Sequence, residues 1–266
     1  MAERKRAMRG RAGRMQGGRG SGRASTGQVR LWGRHAVEAA LKNPNRSHRK
    51  LWATRDGIDS LDGELPANFP VEYADAADLA RLVARDAPHQ GLVLECAALE
   101  DVFLDEVTGG DAARPVLVLD QVTDPHNVGA ILRSAAAFDV KAIVTTARHS
   151  PEATGVLAKS ASGALELVPI ITVQNLARAL TRLDERGFQT VGLDSAGPTD
   201  IAAVALREPL ALVLGAEGKG LRQLTRETCS VVARLDMPGA IKSLNVSNAA
   251  VLALYIGASR LGLMPK

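Results

Sequence analysis

Residues 116–138 read Val-Leu-Val-Leu-Asp, then Gln-Val-Thr-Asp-Pro-His-Asn-Val-Gly, then Ala-Ile-Leu-Arg-Ser-Ala-Ala-Ala-Phe. The first five residues predict a buried strand, because they form a short apolar run rich in β-formers. The last nine predict a helix, and Asn127 stands where the N-cap of that helix belongs. Arg133 lies about two turns into the helix among alanines and apolar residues. Its guanidinium must therefore either extend into water as an ordinary surface arginine or bind an anion.

The pattern of a strand followed by a helix continues towards the C-terminus. Apolar runs predict strands at 116–120, 141–145, 166–173, 188–193, 209–214 and 231–235. Helix-like segments lie at 128–138, 174–186 and 246–260. Such alternation is typical of a largely parallel sheet covered by helices, so we expect an α/β fold for residues 115–266.

The part of the chain before residue 115 is predicted to form separate units. Residues 29–105 alternate between strand-like and helical patterns and predict a small α/β domain. Residues 106–114 are polar, contain two adjacent glycines and predict a linker.

Three glycines follow the strand predicted at 209–214, namely Gly215, Gly218 and Gly220. They indicate either a plain turn at the end of a strand or a place where a ligand approaches the backbone closely. The spacing does not fit the dinucleotide fingerprint, which needs a helix directly after the glycines. It does not fit a P-loop either, because no Ser or Thr follows the lysine of Gly-Lys-Gly.

Small polar side chains crowd the start of the helix predicted at 246–260. Residues 243–248 read Ser-Leu-Asn-Val-Ser-Asn and precede an apolar run. A helix start is served by one capping side chain, since only its first few N–H groups lack partners. The surplus indicates either an over-capped helix or side chains that bind a ligand.

Charge is distributed unevenly along the chain. Residues 1–30 contain nine Lys or Arg and one acidic residue, a net charge of +8, whereas the whole chain is +4, so that residues 31–266 carry −4. Residues 1–28 are rich in Arg and Gly and predict a disordered tail. Such tails bind phosphate backbones without reading sequence, although a merely solubilising leader is the alternative.

Composition excludes several classes of protein. No apolar stretch approaches the roughly 20 residues that a membrane span needs, and the first residues lack the apolar segment of a secretory signal. Cys96 and Cys229 stand far apart without the spacing of metal ligands. We therefore expect a cytoplasmic protein in a reducing compartment, with no metal and no membrane partner.

Three of these stretches together resemble the motifs of one family. Asp-Pro-His-Asn-Val-Gly-Ala-Ile-Leu-Arg-Ser (124–134), Leu-Gly-Ala-Glu-Gly (214–218) and Met-Pro-Gly followed by Ser-Leu-Asn-Val-Ser (237–247) are similar, in this order, to motifs one, two and three of the SpoU/TrmH RNA ribose 2′-O-methyltransferases of the SPOUT superfamily. Within the family, the chain resembles most the members that methylate guanosine in bacterial 23S rRNA.

The resemblance implies a fold and partners as well as an activity. It implies a trefoil knot in the C-terminal domain, S-adenosyl-L-methionine as the methyl donor, and a homodimer with the active site near the subunit interface. Gly-Arg-His-Ala-Val-Glu (33–38) and His-Gln-Gly (89–91) resemble the RNA-binding module of the family, whose fold is like that of ribosomal protein L30e. The expected macromolecular partner is RNA and not DNA.

The resemblance also implies the roles of individual residues. Arg133 would be the central catalytic residue, with Asn127, Glu217, Ser243 and Asn245 around it. Because arginine stays protonated in proteins, we expect Arg133 to grip a phosphate and to orient the ribose hydroxyl, and not to act as a base.

The implied binding residues form two sets. S-adenosylmethionine would contact Gly215, Leu235 and Leu244, for which plain core packing is the alternative. In this region Leu-Asp-Met-Pro-Gly (235–239) departs from the commoner Ile-Pro-Met-x-Gly of the family. The second set follows from charge: the basic residues of the N-terminal module indicate contacts to RNA phosphates or, as the alternative, an ordinary solvated loop, namely Arg34, Arg46, Arg49 and Lys50.

Two other functions compete with methylation of 23S rRNA. The first is methylation of a tRNA guanosine ribose, against which the presence of residues 30–104 argues, because tRNA-specific relatives usually lack this module. The second is a catalytically silent RNA-binding factor for ribosome assembly, against which the retained Arg133, Glu217, Ser243 and Asn245 argue.

Overall fold

The computed structural model describes residues 27–66, 68–109, 114–147, 155–241 and 243–265. The predicted tail, 1–28, lies outside the described residues except for its last two, and the middle of the predicted linker, 110–113, lies outside them too. None of the helices that the model describes is long and apolar enough to span a membrane.

The N-terminal unit is a four-stranded sheet flanked by short helices. Its strands are β1 (Gln28–Trp32), β2 (His48–Ala53), β3 (Val71–Tyr73) and β4 (Leu92–Ala97), in the order β1-β4-β2-β3. Its helices are α1 (Arg34–Lys42), α2 (Arg55–Asp59) and α3 (Ala76–Leu82). The short helix α4 (Leu104–Val107) then leads to the second unit. The predicted small α/β domain is therefore present.

The C-terminal unit is a seven-stranded sheet in which neighbouring strands run parallel. Its strands are β5 (Val116–Asp120), β6 (Ala142–Thr146), β7 (Ile170–Val173), β8 (Gln189–Leu193), β9 (Thr199–Asp200), β10 (Leu210–Gly215) and β11 (Val231–Arg234), in the order β7-β6-β5-β10-β8-β11-β9. Its helices are α5 (Pro125–Ala137), α6 (Gly155–Ser160), α7 (Leu176–Glu185), α8 (Gln223–Thr228) and α9 (Val246–Arg260). The predicted parallel sheet is confirmed, whereas the knot stays a prediction.

Helices cover both faces of this sheet, because successive side chains of a strand point to opposite sides. Leu117 and Leu119 of β5 are buried in one cluster with residues of α1, α5 and α9. Val116 and Val118 are buried in a second cluster with residues of α4 and α7. The central strands are thus apolar on both faces, as expected for a parallel sheet between two helical layers.

Two sequence-based predictions of secondary structure are wrong in detail. The strand predicted at 166–173 begins only at Ile170, because the 3₁₀ turn Ala164–Glu166 precedes it and turns Glu166 towards the N-terminal unit. The helix predicted from residue 128 begins at Pro125, and its N-cap is Asp124, whose carboxylate accepts a hydrogen bond from the His126 N–H at 2.9 Å. Asn127 therefore lies inside the first turn, and its side chain does not cap the helix.

A buried ion pair joins the two units. Arg46 precedes β2, and its guanidinium forms two hydrogen bonds with the Glu166 carboxylate, one of them at 3.1 Å between Nε and Oε2. The side chains of Arg46 and Glu166 are only 2% and 3% exposed. Asn43 Nδ2 donates to the same carboxylate at 2.7 Å, and Arg46 Nη1 donates to the Ala97 carbonyl at 2.8 Å. The prediction that Arg46 faces RNA phosphates is therefore wrong, because its charge is buried and paired inside the protein.

Glycines let the two units approach each other closely. A Cβ atom on Gly155 would lie 1.8 Å from Trp32 Cζ3, and one on Gly163 would lie 2.7 Å from the Ala39 Cβ. Gly163 also has φ = 89°, which favours glycine over other residues. The two units are therefore in direct contact at these glycines, and the buried ion pair lies in the same interface.

We predict that Arg46→Met lowers the free energy of unfolding by about 3–5 kcal/mol, because it leaves the Glu166 carboxylate buried without a counterion. The double variant Arg46→Met with Glu166→Met should recover much of that loss. Arg81→Met is the control, since Arg81 pairs with Asp78 on the surface, and should cost less than about 1 kcal/mol. Urea unfolding of the variants measures these values, and a cost at Arg46 as small as at Arg81 would contradict a buried pair.

Candidate active site

The carboxyl ends of three neighbouring strands lie side by side in the parallel sheet. In the register of the sheet, Gly215 of β10 pairs with Asp120 of β5, and Leu214 pairs with Leu193 of β8. The segments that follow these strands therefore lie side by side. The crevice outside the carboxyl ends of parallel strands is the usual place for a ligand in α/β proteins.

The Asn245 side chain connects the three candidate motifs at these strand ends. Its Nδ2 donates to Asn127 Oδ1 at 3.0 Å and to Glu217 Oε2 at 3.2 Å. Its Oδ1 accepts hydrogen bonds from the Ser247 N–H at 2.9 Å and from the Ser247 hydroxyl at 2.6 Å. Asn245 is thus the N-cap of α9 and, in addition, the link between α5 and the glycine-containing loop after β10.

A pocket that is open to solvent lies beside this link. Gly215, Leu235 and Leu244, the three residues predicted to bind cofactor, all line it, as do Glu217 and Ser243. The loop after β10 folds back on itself at this point. A Cβ on Gly215 would lie 2.1 Å from the carbonyl carbon of Gly220, so position 215 has room only for glycine.

Two buried carboxylates that the sequence analysis did not single out hold the wall of this pocket. Asp120, at the end of β5, is fully buried and accepts hydrogen bonds from Arg222 Nε at 2.6 Å and from the Arg222 N–H at 3.0 Å. Asp194, directly after β8, pairs with Arg226. The signal that could have revealed both residues is an aspartate closing an apolar strand, where an ionised carboxylate needs a partner.

The charge of Asp194 is maintained despite its burial. Burial alone would raise the pKa of this carboxyl, but hydrogen bonds from the Ala196 N–H and from the Arg226 guanidinium outweigh burial and hold the pKa below its usual range. The side chain lies beside the loop that contains Gly220, since a Cβ on Gly220 would lie 3.0 Å from Asp194 Oδ2. Asp194 therefore acts as a fixed negative charge in the pocket wall.

The cysteines do not provide a nucleophile. Burial raises the pKa of the Cys96 thiol to about 11 and the pKa of the Cys229 thiol to about 12. Both thiols are protonated near neutral pH, and a protonated thiol is a poor nucleophile.

Arg133 is separate from the residues joined by Asn245. Its side chain projects into solvent from α5, does not line the pocket, and has no hydrogen bond or ion pair within the described residues. The structure thus brings Asn127, Glu217, Ser243 and Asn245 together in one chain and leaves Arg133 outside that group.

The remaining basic residues of the predicted RNA-binding set are accessible to different degrees. Arg34 is exposed and pairs with Glu38 at 2.9 Å, and Arg49 is exposed. Lys50 pairs with Glu72, and its Nζ lies 4.9 Å from the centroid of the Trp52 ring. Arg34, Arg49 and Lys50 stay predictions as RNA contacts, whereas Arg46 is withdrawn.

Comparison with known proteins agrees with this arrangement. The sequence model of the SpoU rRNA methylase family matches residues 114–255, and the model of the RNA 2′-O ribose methyltransferase substrate-binding domain matches residues 30–102. The chain belongs to the SpoU rRNA methylase family. The two matches coincide with the C-terminal sheet and the N-terminal sheet, so the N-terminal unit is the substrate-binding domain of this family.

Relatives of similar length share both domains. The chain is 39% identical over 242 residues to the 23S rRNA (guanosine-2′-O-)-methyltransferase RlmB of Ralstonia nicotianae, covering 88% of this chain and 97% of the relative. It is 42% identical over 232 residues to the protein of the same name from Vibrio vulnificus, covering 85% of this chain and 94% of the relative.

A solved structure agrees in fold. The SpoU methyltransferase AviRb from Streptomyces viridochromogenes, crystallised with AdoMet, superposes with a TM-score of 0.72 at 22% identity and covers 88% of this chain and 90% of its own. A TrmH/SpoU tRNA modifying enzyme from A. aeolicus gives a TM-score of 0.51 at 26% identity and covers only 59% of this chain and 80% of its own.

Variants of Asn245 should separate capping from the link between the motifs. Asn245→Asp keeps an acceptor for the Ser247 N–H but loses the amide donor to Asn127 and Glu217 and places a carboxylate against Glu217 Oε2. We therefore expect a large loss of methyl transfer, together with some loss of stability from the two like charges. Asn245→Ala loses both and should also cost about 0.5–2 kcal/mol of stability. Ser243→Ala, which removes a pocket hydroxyl and no cap, is the companion variant, expected to lower turnover at unchanged stability. Melting temperature and single-turnover rate decide, and full activity of the Asp variant would reduce Asn245 to a cap.

Proposed function

We propose that this protein transfers a methyl group from S-adenosylmethionine to the 2′-hydroxyl of a guanosine ribose in 23S rRNA. The observation that carries the proposal is the convergence of all three family motifs on the Asn245 side chain, beside a pocket lined by the three predicted cofactor-binding residues. The RlmB relatives support the substrate, because they match the chain over its substrate-binding domain as well as its methylase domain. Such an enzyme works in the cytoplasm, where rRNA is made.

The lining of the pocket fits S-adenosylmethionine. Leu235 and Leu244 offer apolar surfaces to an adenine ring, and Gly215 allows the ligand to approach the backbone. When bound, the sulfonium of this cofactor supplies an activated methyl group, and no metal is needed.

The polar residues beside the pocket provide orientation for the ribose. Glu217 and Asn127 are held by the same amide, so their positions are coupled to the start of α9. Ser243 presents a hydroxyl to the pocket. Arg133 supplies a planar fork suited to a phosphate of the target nucleotide, and its positive charge stabilises the oxyanion that develops as the hydroxyl loses its proton.

The observations favour 23S rRNA over the two competing functions. The A. aeolicus tRNA modifying enzyme matches only 59% of this chain, whereas the RlmB relatives match both of its domains. A silent RNA-binding factor would have no need to hold Asn127, Glu217 and Asn245 in one network beside a pocket.

We also propose that the enzyme is a homodimer in which Arg133 serves the pocket of the partner subunit. Arg133 is exposed, has no partner among the residues that the structure describes and does not line its own pocket, so that the site within one chain lacks the residue expected to be central. Helix α9, which packs on α5, carries exposed apolar side chains at Val251, Leu252 and Tyr255, spaced to lie on one face. A second copy packed on this face would bury them and bring its own Arg133 close to the first pocket.

Mass-spectrometric mapping of ribose methylation tests the activity. We expect the purified protein to methylate one guanosine in an unmodified 23S rRNA transcript when given S-adenosylmethionine. Arg133→Lys should lose at least about a hundredfold in turnover, because a point charge cannot replace the bidentate fork. Its cofactor affinity, measured by calorimetry, should stay unchanged. Methylation confined to tRNA, or none on any RNA, would overturn the proposal.

Mixing two inactive variants tests whether Arg133 acts across the dimer. After joint refolding of Arg133→Ala with Asn245→Ala in equal amounts, half of the dimers should be mixed, each with one intact site, and activity should recover to about a quarter of the wild-type value. Each variant alone is the control. If Arg133 served its own pocket, mixed dimers would contain no intact site, and the mixture would stay inactive.

A further inference from the structure

A line of polar contacts crosses from the substrate-binding domain to the methylase domain. Gln90 lies in the turn before β4, and its Oε1 accepts hydrogen bonds from the Arg34 N–H at 3.1 Å and from Lys159 Nζ of α6. The next residue of α6, Ser160, places its hydroxyl 3.2 Å from His126 Nδ1 at the start of α5. The line therefore reaches from one domain to the first turn of α5.

The same line continues into the candidate active site. His126 directly precedes Asn127, whose Oδ1 accepts the hydrogen bond from Asn245. We call Gln90, Lys159, Ser160 and His126 the junction track. Gln90 and His126 are exposed, and Lys159 and Ser160 are half-buried, so the track forms part of the surface between the substrate-binding domain and the residues beside the pocket.

Two glycines lie in close contact with the junction track. A Cβ on Gly33 would lie 2.4 Å from Lys159 Nζ and 2.9 Å from Gln90 Oε1, so the ends of these two side chains lie directly over position 33. A Cβ on Gly129 would lie 2.3 Å from the Ser160 Cβ, so α6 lies directly against α5. A larger residue at position 129 would push α6 away from α5, and at position 33 the φ of 84° favours glycine over other residues.

Lys159 contributes a positive charge to the junction track. Within the described residues its ammonium contacts the neutral amide of Gln90 and no carboxylate. Burial lowers the pKa of this lysine, as expected for an ammonium that has lost part of its hydration without gaining a counterion. Other basic residues around the junction differ from Lys159, since Arg34 is paired with Glu38 and Arg46 with Glu166. A partly desolvated cation of this kind is stabilised when an anionic ligand binds.

We propose that the junction track is the path of the substrate RNA strand from the substrate-binding domain to the pocket, with Lys159 bound to a phosphate of that strand close to the target nucleotide. The inference rests on the proposed function, because only a polynucleotide substrate would span both domains. A flexible lysine suits this role, since it contacts phosphates as a point charge and carries no sequence information. Ser160 and His126 then offer hydrogen bonds to the strand just before Asn127.

Binding of a 23S rRNA transcript to the full-length chain, measured by filter binding over a range of salt concentrations, tests this path. For Lys159→Gln we expect an affinity about five- to tenfold lower than wild type, and a log–log salt slope lower by about 0.7, the value for one lost phosphate contact on a single strand. In methylation assays the KM for RNA should rise, while affinity for S-adenosylmethionine and melting temperature stay unchanged. Lys159→Arg should restore binding.

A second variant keeps Lys159 but gives its positive charge a carboxylate partner inside the protein. Gln90→Glu places a carboxylate on Lys159 while preserving the acceptor for the Arg34 N–H. A purely structural lysine would gain a partner, and stability would hold or rise with no change in RNA affinity; a phosphate-binding lysine would lose RNA affinity and salt slope as in Lys159→Gln. Arg178→Gln is the matched control, because it removes one exposed positive charge from α7 on the opposite face of the sheet.

The outcomes separate this inference from the proposed function. Unchanged affinity and slope in both Lys159→Gln and Gln90→Glu would overturn the path, whether or not the wild type methylates the transcript. Equal losses in Arg178→Gln would overturn it as well, since they would show a general effect of net charge. If the wild type binds the transcript with the expected dependence on Lys159 but never methylates it, the path stands and the proposed function fails.

Discussion

The amide of Asn245 is the constraint on which the site depends. The Asn245 side chain caps α9 and donates two further hydrogen bonds. Their acceptors are Asn127, which is 118 residues away in the sequence, and Glu217, which is 28 residues away. Asparagine suits this position because its amide accepts at Oδ1 and donates twice at Nδ2, whereas Asp only accepts when ionised and Ser donates once. A movement of the first turn of α9 would therefore also move the side chain that holds Asn127 and Glu217.

The junction between the domains imposes a second constraint. Replacing a buried ion pair by apolar residues is often neutral for stability, so Arg46 and Glu166 are better understood as fixing orientation than as adding stability. The pair joins the two domains at one buried point, and Gly155 and Gly163 allow close contact between them at two further points. A substrate-binding domain held in this way places bound RNA at a defined position relative to the carboxyl ends of the strands.

Sequence patterns revealed the sheet more completely than the site. The apolar runs at 116–120, 209–214 and 231–235 predicted three strands within one residue, and the α9 bounds of 246–260 agree, because buried parallel strands and apolar helices leave long, simple patterns. Short elements such as α6 and α8 leave no such pattern. Arg46 was misassigned for a different reason: a basic cluster before a strand has the same appearance whether its charges meet water or a distant carboxylate. That carboxylate, Glu166, is 120 residues away, and only the fold brings the two together.

The cofactor side and the RNA side of the active site differ in how completely a single chain forms them. The cofactor side is preorganised: Asp120 and Asp194 anchor Arg222 and Arg226, residues one helical turn apart, and thereby hold the glycine loop against the pocket. Little binding energy is then lost in ordering that loop when a ligand enters. On the RNA side, Arg133 is exposed and has no hydrogen bond or ion pair within the described residues. In the proposed dimer, a second subunit and the RNA strand would therefore complete a site whose cofactor side one folded chain already forms.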